Sequence, residues 1–142
     1  MRRRIAGEGV LVVVLARGLR CEVCSIYMLR AGDMLELYAS EGLNKEAVHL
    51  TRLRIGEGLV GEIAATQTPL NLKEAKDHPQ FVYRPETGEE IYHSFAGVPV
   101  VSGGKVVGVA VLQSTQPRAF AEEEIELMQT VAMVLAELHA SG

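Results

Sequence analysis

The strongest constraint on the fold comes from two apolar runs, 94–101 and 105–114, separated by Ser102-Gly103-Gly104. Adjacent glycines between such runs predict a tight β-hairpin, because a type I′ turn needs a positive φ at both central residues. The second run is apolar or glycine at every position from Val106 to Leu112, so both faces of this strand should be buried. We therefore predict an antiparallel hairpin in the middle of a sheet that is covered on both sides.

The rest of the chain fits one domain. Its 142 residues, 48% of them hydrophobic, show no repeat, low-complexity tract or linker, so one sizeable core is expected over 1–142. Hydrophobic spacing and turn signals predict further elements. In chain order these are a helix over 5–19, strands over 21–30 and 34–40, a short helix over 44–50 capped by Asn44, a helix over 59–66, an extended piece over 70–72 and a helical turn over 73–77. Leu35, Leu37 and Ala39 are predicted to share one face of their strand.

A long polar segment and the overall charge bear on function. Loops as long as 73–92 are uncommon in compact domains and often form lids or binding segments. The net charge of −4 gives no reason to expect a nucleic-acid partner, and Arg2–Arg4 is typical of a solvated terminus. The apolar run Val10–Leu15 is too short to span a bilayer, and arginines follow it where a signal peptide would have small residues. We expect a cytoplasmic chain with no membrane partner.

The clearest predicted helix runs from Glu122 to His139, with three glutamates at the end where the helix dipole favours acidic groups. Two apolar stripes follow it, covering a wider arc than is needed to face one core. The first stripe consists of Ile125, Met128, Ala132 and Leu135, and the second of Leu127, Val131, Val134 and Leu138. One interpretation is a deeply buried helix. The other places the second stripe in a homodimer interface.

Several motifs resemble those of GAF domains. They are 22–27 (EVCSIY), 35–43 (LELYASEGL), 56–61 (GEGLVG), 77–79 (DHP), 83–95 (YRPETGEEIYHSF) and 97–99 (GVP). The 84–95 segment is the most specific of these. Within the family, the chain is most similar to the N-terminal GAF domain of the nitrogen-branch phosphoenolpyruvate-protein phosphotransferases, and then to the GAF domains that open nitrogen-fixation activators.

The resemblance implies an α+β fold with an approximately six-stranded antiparallel sheet and helices on both faces. It implies a fragment of a longer protein whose catalytic phosphotransferase domains follow the GAF domain and are absent from this chain. The function implied is regulatory sensing of nitrogen status, with no enzymatic activity in the fragment itself. Residues 1–19 depart from the family and resemble a shortened, glycine-containing version of its opening helix.

A ligand pocket is expected between the polar loop and the sheet, because ligand sites are apolar concavities with a few placed polar groups. The candidate residues are Asn71, Tyr83, Arg84, Glu90, Tyr92, His93, Ser94 and Gln113. Glu90 and Arg84 have the charges that would hold the ammonium and carboxylate groups of an amino acid. Glutamine or 2-oxoglutarate is the expected metabolite, and surface ion pairing is the alternative for these charged residues.

Other chemistries are disfavoured by the sequence. The four histidines lack metal-ligand spacing, so neither a metal nor a cofactor is expected. Cys21 and Cys24 would point to opposite faces of a strand, where they neither bridge nor share a metal. Gln113 and Ser114 replace the Asn-Lys pair of cyclic-nucleotide-binding GAF domains. The alternatives kept open are a dimerisation module without ligand, the input domain of a transcriptional activator, and a GAF-fold methionine sulfoxide reductase.

Overall fold

The computed structural model of the protein describes residues 2–81 and 92–141, and within these the side chains of 8–81 and 92–140. Six strands form one antiparallel sheet in the order β3-β2-β1-β6-β5-β4. The strands are β1 (Val23–Arg30), β2 (Met34–Glu41), β3 (Arg52–Arg54), β4 (Leu70–Leu72), β5 (Ser94–Ser102) and β6 (Lys105–Ser114). The helices are α1 (Arg2–Gly18), α2 (Gly58–Thr66) and α3 (Glu122–Ser141). The α+β fold expected from the sequence is confirmed.

The predicted hairpin lies near the centre of the sheet. Gly103 and Gly104 have φ angles of 60° and 78°, as a type I′ turn requires. Strand β6 is hydrogen-bonded to β1 on one side and to β5 on the other, and it is buried from Val106 to Ser114 except at the half-buried Val107. Side chains alternate along the strand, so β6 contributes to two separate hydrophobic cores.

Each face of the sheet has its own core. On one face, α1 and α3 cover Cys24, Ile26, Val98 and Leu112, and we call this the helix face. On the opposite face, α2 and the loops cover a second cluster that includes Tyr27, Leu37, Phe95 and Val109, and we call this the cavity face. Helices therefore pack on both sides, as the apolar pattern of β6 predicts.

The second strand contains an irregularity that the sequence did not predict. The register pairs Ile26 with Ala39 but Tyr27 with Leu37, so Tyr38 is the extra residue of a β-bulge. Leu35 and Leu37 face the cavity side, whereas Ala39 packs on the helix face. The prediction that these three residues share one face is therefore wrong for Ala39.

Two helical predictions also need correction. Residues 44–50 form only one 3-10 turn, Lys45–Ala47, and the Asn44 side chain makes no capping hydrogen bond. In α1, where the sequence has Leu11, Val14, Leu15 and Leu19 at helical spacing, the buried apolar residues are Val12, Leu15 and Ala16, while Val14 is exposed. Helical spacing predicts where a helix lies better than it predicts which side of the helix is buried, because a run of valines places apolar residues on every side.

Close backbone approach requires a glycine at position 108. A β-carbon there would lie 2.5 Å from the carbonyl oxygen of Tyr27 on the neighbouring strand. Gly108→Ala should therefore lower the free energy of unfolding by about 1–3 kcal/mol, as overpacking does. Gly9→Ala is the matched control, because it adds the same methyl group to α1 with nothing within 4 Å. It should raise stability by about 0.5–1 kcal/mol. Urea unfolding of both variants measures the difference, and equal effects would contradict the steric argument.

Candidate functional site

A small cavity lies between the sheet and the first turn of α2. Its volume is about 30 Å³, room for roughly two water molecules. Its walls come from strands β1, β3, β5 and β6, from α2, and from the segments on either side of 82–91. The lining residues are Tyr27, Leu53, Gly58, Leu59, Val60, Ala75, Phe81, Tyr92, Phe95 and Gln113.

The cavity floor is fixed by strand pairing. Phe95 on β5 is the register partner of Gln113 on β6, so both side chains stand next to each other on the cavity face. The α2 helix approaches β5 closely at Gly97, where a β-carbon would lie 2.5 Å from Cδ1 of Ile63. Gly97 therefore sets the distance between α2 and the sheet.

The described wall is mainly apolar, with three polar side chains and no ionisable group apart from two tyrosine hydroxyls. Tyr27, Tyr92 and Gln113 provide hydroxyl and amide groups, and each is at least nine-tenths buried. The Tyr92 hydroxyl donates a hydrogen bond to the Gly42 carbonyl oxygen at 3.4 Å. The first turn of α2, beginning at Gly58, also faces the cavity, and the amides of a first helical turn have no partner within the helix. Such a wall suits a ligand that presents oxygen atoms and an apolar body.

The structure brings together two of the eight predicted ligand residues. Tyr92 and Gln113 line the cavity. Tyr83, Arg84 and Glu90 lie outside the described residues.

The other three predicted residues, Asn71, His93 and Ser94, have structural contacts instead. Asn71 donates from Nδ2 to the Phe120 carbonyl oxygen at 2.8 Å and accepts from the Phe120 amide at 2.9 Å. Nδ1 of His93 is 2.9 Å from both carboxylate oxygens of Glu74. Strand alternation places Ser94 on the face opposite Phe95, where its hydroxyl contacts the Ser114 carbonyl oxygen at 3.4 Å. These contacts tie the ends of β4, β5 and β6 to their neighbours.

Most of the apolar cavity wall was missed from the sequence. Ala75 and Phe81 are apolar residues of the polar loop, whereas the predicted ligand residues of that loop are all polar. Gly58, Leu59 and Val60 belong to the 56–61 motif, for which the sequence predicted no role in ligand binding. Tyr27 had a detectable signal, because a lone tyrosine on an apolar strand brings a hydroxyl into the core.

Both cysteines lie on the helix face, away from the cavity. Strand β1 begins only at Val23, so Cys21 precedes it and packs in the same cluster as Cys24. The prediction that they point to opposite faces is therefore wrong. Burial raises the pKa of Cys24 to about 12, and burial also raises the pKa of Cys21 despite the Arg118 guanidinium nearby. Neither thiol is placed to react with a ligand in the cavity.

A charged cluster forms on β2 and β3, around Glu36. Its carboxylate lies 2.7 Å from Nδ1 of His49, 3.3 Å from Arg52 and 3.8 Å from Arg30. Desolvation alone would raise the pKa of Glu36, but the His49 hydrogen bond and the nearby arginine charges outweigh it and lower that pKa. His49 has a φ of 68°, so this contact also holds a backbone conformation that L-residues rarely adopt.

The carboxylate of Glu22, which precedes β1, links the start of that strand to the residue that follows β6. Glu22 accepts hydrogen bonds from the backbone amide and the hydroxyl of Thr115, at 3.0 and 3.2 Å. Desolvation raises the pKa of Glu22, and these hydrogen bonds reverse the shift and lower it. Contacts within the fold therefore account for the lowered pKa of both Glu36 and Glu22.

The residues predicted for a dimer interface divide into two groups. Leu127 and Val134 are exposed on α3, whereas Val131 is buried in the core of the helix face and Leu138 is half-buried. Met128, Ala132 and Leu135 of the other stripe are buried against the sheet. The exposed pair therefore leaves an unpaired apolar strip on the outer side of α3.

Among the described residues, 2–81 and 92–141, a metal-binding cluster and a membrane-spanning helix are both absent. No group of three His, Cys, Asp or Glu side chains there is arranged to hold a metal ion. Within the same residues, no helix combines the length and the apolar character needed to cross a membrane.

Comparison with known proteins identifies the same family by sequence and by structure. Residues 10–137 match the family model described as GAF domain. The GAF domain from a phosphoenolpyruvate-protein phosphotransferase of Coxiella burnetii superposes with a TM-score of 0.92 at 36% identity, covering 97% of this chain and 83% of that one. The corresponding domain from Acinetobacter superposes with a TM-score of 0.84 at 34% identity, covering 98% and 90%.

Curated relatives are much longer than this chain. An Escherichia coli K12 protein named phosphoenolpyruvate-dependent phosphotransferase system is 32% identical over 91% of the chain, which spans 17% of its length. The Nif-specific regulatory protein of Herbaspirillum seropedicae is 28% identical over 87% of the chain, which spans 24% of that protein. The matched regions are therefore single domains of larger proteins.

The Asn71 contact gives a test of the structural role assigned to this residue. Asn71→Ala leaves the amide and carbonyl of Phe120 without their partner and should lower the free energy of unfolding by about 1–3 kcal/mol. Asn71→Asp keeps the acceptor for the Phe120 amide but loses the donor, so it should fall between the wild type and Asn71→Ala. Thermal unfolding measures the order of the three proteins, and an Asn71→Ala variant as stable as the wild type would contradict it.

Proposed function

Because this chain belongs to the GAF domain family, and because a small cavity with three buried polar side chains lies between its sheet and α2, we propose that it is a regulatory domain that senses a small molecule. The domain would control an attached phosphoenolpyruvate-protein phosphotransferase in response to nitrogen status. It would act in the cytoplasm and carry no catalytic residue itself. The observation on which the proposal rests is that the cavity wall holds three buried polar side chains, those of Tyr27, Tyr92 and Gln113.

An amino acid or a related keto acid fits the chemistry of this wall. Buried hydroxyl and amide groups bind a neutral polar group, and the amide donors at the start of α2 favour ligand oxygen atoms. The charges that such a ligand needs would come from Arg84 and Glu90, which flank the described wall in sequence. Glutamine is our first candidate and 2-oxoglutarate the second.

The ligand must enlarge the cavity when it binds. A volume of about 30 Å³ holds roughly two waters, whereas glutamine has ten non-hydrogen atoms. Tyr92 is the wall residue whose hydroxyl crosses to Gly42 through a long 3.4 Å hydrogen bond. Outward movement of Tyr92 would open the space, so ligand binding should be coupled to the segment that precedes this residue.

The related proteins indicate which attached domain this chain would regulate. The Coxiella and Acinetobacter domains come from phosphoenolpyruvate-protein phosphotransferases, which supports an attached phosphotransferase as the regulated partner. The Nif-specific regulatory proteins support an alternative, in which the domain is the input module of a transcriptional activator. Their lower identity, 28%, makes this the second choice.

Isothermal titration calorimetry with glutamine and with 2-oxoglutarate tests the ligand proposal. We expect one of them to bind, and Gln113→Leu to weaken that binding by about tenfold or more, because one buried hydrogen bond is lost. Gln116→Leu is the matched control, since it is the same change at an exposed residue outside the cavity, and it should bind as the wild type does. Absence of binding for both compounds at millimolar concentration would refute the proposed ligands.

A second candidate function is homodimerisation, and exposed apolar residues on the helix face favour it. Leu127 and Val134 on α3 are 43% and 50% exposed, and Val10 and Val14 on α1 are 62% and 58% exposed. Exposed large apolar side chains on a helix are found at interaction sites. We propose that this surface joins two copies of the domain, with or without ligand in the cavity.

The dimer proposal predicts a concentration-dependent mass in sedimentation equilibrium. Leu127→Ser with Val134→Ser should weaken association by about tenfold or more, because each buried aliphatic side chain contributes about 1.5–3 kcal/mol. Met133→Ser is the control, because this 69% exposed residue lies on another side of α3 and should leave association unchanged. A wild-type chain that stays monomeric up to about 1 mM, an affinity of only about −4 kcal/mol, would contradict the proposal.

A further inference from the structure

The charged cluster around Glu36 lies outside the cavity, on the opposite side of the sheet. Met28 on β1 is the register partner of Glu36, and it packs in the core of the helix face. Side chains of directly paired residues share one face of a sheet, so the Glu36 side chain also emerges on the helix face. The residue is only 8% exposed, and a buried carboxylate needs partners of opposite charge.

The two oxygen atoms of Glu36 have different partners. Oε2 lies 2.7 Å from Nδ1 of His49, whereas Oε1 lies 3.3 Å from Nη2 of Arg52 and 3.8 Å from Nε of Arg30. Both guanidinium groups therefore converge on a single oxygen atom. Because His49 occupies the other oxygen, Glu36 holds the two arginines next to each other.

Arg30 is also held by an aromatic ring. Its Cζ atom lies 4.8 Å from the centre of the Tyr38 ring, and Tyr38 makes an edge contact with His49 at 5.3 Å between ring centres. Stacking of this kind fixes the plane of a guanidinium group and therefore the direction of its N–H donors. Two irregular backbone features support the arrangement, the β-bulge at Tyr38 and the left-handed conformation of His49. Both kinds of irregularity are frequent near functional sites.

The two arginines have more donors than Glu36 can use. Each guanidinium group carries five N–H donors, and one carboxylate oxygen accepts only a few of them. The side chains of Arg30 and Arg52 are 42% and 56% exposed, so part of each guanidinium group faces solvent. Arg54, two residues after Arg52 on β3, is exposed on the same side of the strand. Three arginines near one carboxylate give a local excess of positive charge in a chain whose net charge is −4.

From this geometry we propose that Arg30 and Arg52 bind the phosphate group of a small phosphorylated compound. A phosphate ester carries between one and two negative charges near neutral pH, and arginine binds it through paired hydrogen bonds to two of its oxygens. Glu36 and Tyr38 already orient the two guanidinium groups, so binding immobilises few further side chains. Glu36 is a positioning residue in this site. The proposal does not depend on the ligand proposed for the cavity, because the two sites lie on opposite faces of the sheet.

A purely structural ion-pair network is the alternative. In that case the cations only neutralise Glu36, and the exposed sides of the guanidinium groups bind water. Neutralising one carboxylate requires a single cation, whereas Glu36 has two arginines and a histidine within 4 Å. The excess of donors and their shared orientation favour a ligand with several oxygen atoms.

Titration of the ¹⁵N-labelled 142-residue chain with inorganic phosphate, followed by NMR, tests the site. The pH and the ionic strength are held constant, so that screening of charges stays the same. The amide signals of Tyr38, His49 and Arg52 should shift and reach saturation, with a dissociation constant on the order of 1 mM. Acetate is the control for a carboxylate, and it should bind about tenfold more weakly because it carries a single charge. Glycerol phosphate should bind as inorganic phosphate does.

Lysine variants separate a paired hydrogen bond from simple charge. Arg30→Lys and Arg52→Lys each keep a cation beside Glu36 but lose the planar guanidinium group, so each should raise the phosphate dissociation constant about fivefold or more. Arg17→Lys is the matched control, since it is the same change at an exposed residue of α1, and it should bind as the wild type does. Thermal unfolding checks that all three variants are folded.

Three results would overturn the site. One is a set of shifts that stays linear or is the same for acetate and phosphate, which indicates charge screening only. Another is a phosphate affinity that neither lysine variant at position 30 or 52 changes. The third is a phosphoserine peptide that binds far more tightly than inorganic phosphate or glycerol phosphate, because the ligand is then a phosphorylated partner protein and not a small compound.

Discussion

Burial of β6 on both faces is the constraint on which the rest of the structure depends. This strand is hydrogen-bonded on both sides, to β1 and β5, and its alternate side chains enter two different cores. Apolar groups on both faces must be removed from water, so helices have to cover both sides of the sheet. The helix face and the cavity face follow from that requirement.

The parts of the fold that could be predicted from the sequence are those with a strong local signal. The continuous apolar run of β6, the adjacent glycines of the Gly103-Gly104 turn and the helical spacing of Met128, Ala132 and Leu135 are such signals, and their places were predicted correctly. The bulge at Tyr38 could not be predicted, because one extra residue in a strand leaves no periodic mark. Its effect was to move Ala39 to the other face.

The candidate site was harder to predict because its contacts join residues far apart in the chain. Asn71 binds the backbone of Phe120, and His93 contacts Glu74, so both side chains were candidates for the pocket but hold secondary-structure elements together. Nothing local distinguishes such a residue from a ligand-binding one, since both are polar residues at the ends of strands. Gln113 was identifiable because it is an amide near the end of an otherwise apolar strand.

The ligand cavity and the proposed dimer surface on α3 are both supported by strands β5 and β6. Phe95 and Gln113 line the cavity, while their immediate chain neighbours Ala96 and Leu112 pack under the helices on the opposite face. Helix α3 packs mainly on β5. A ligand that displaces this strand would therefore also displace α3. Packed interiors transmit such shifts because they contain few voids. If ligand binding changes dimerisation through α3, β5 and β6 are the strands that connect the two sites, because both contribute residues to the cavity and to the core beneath α3.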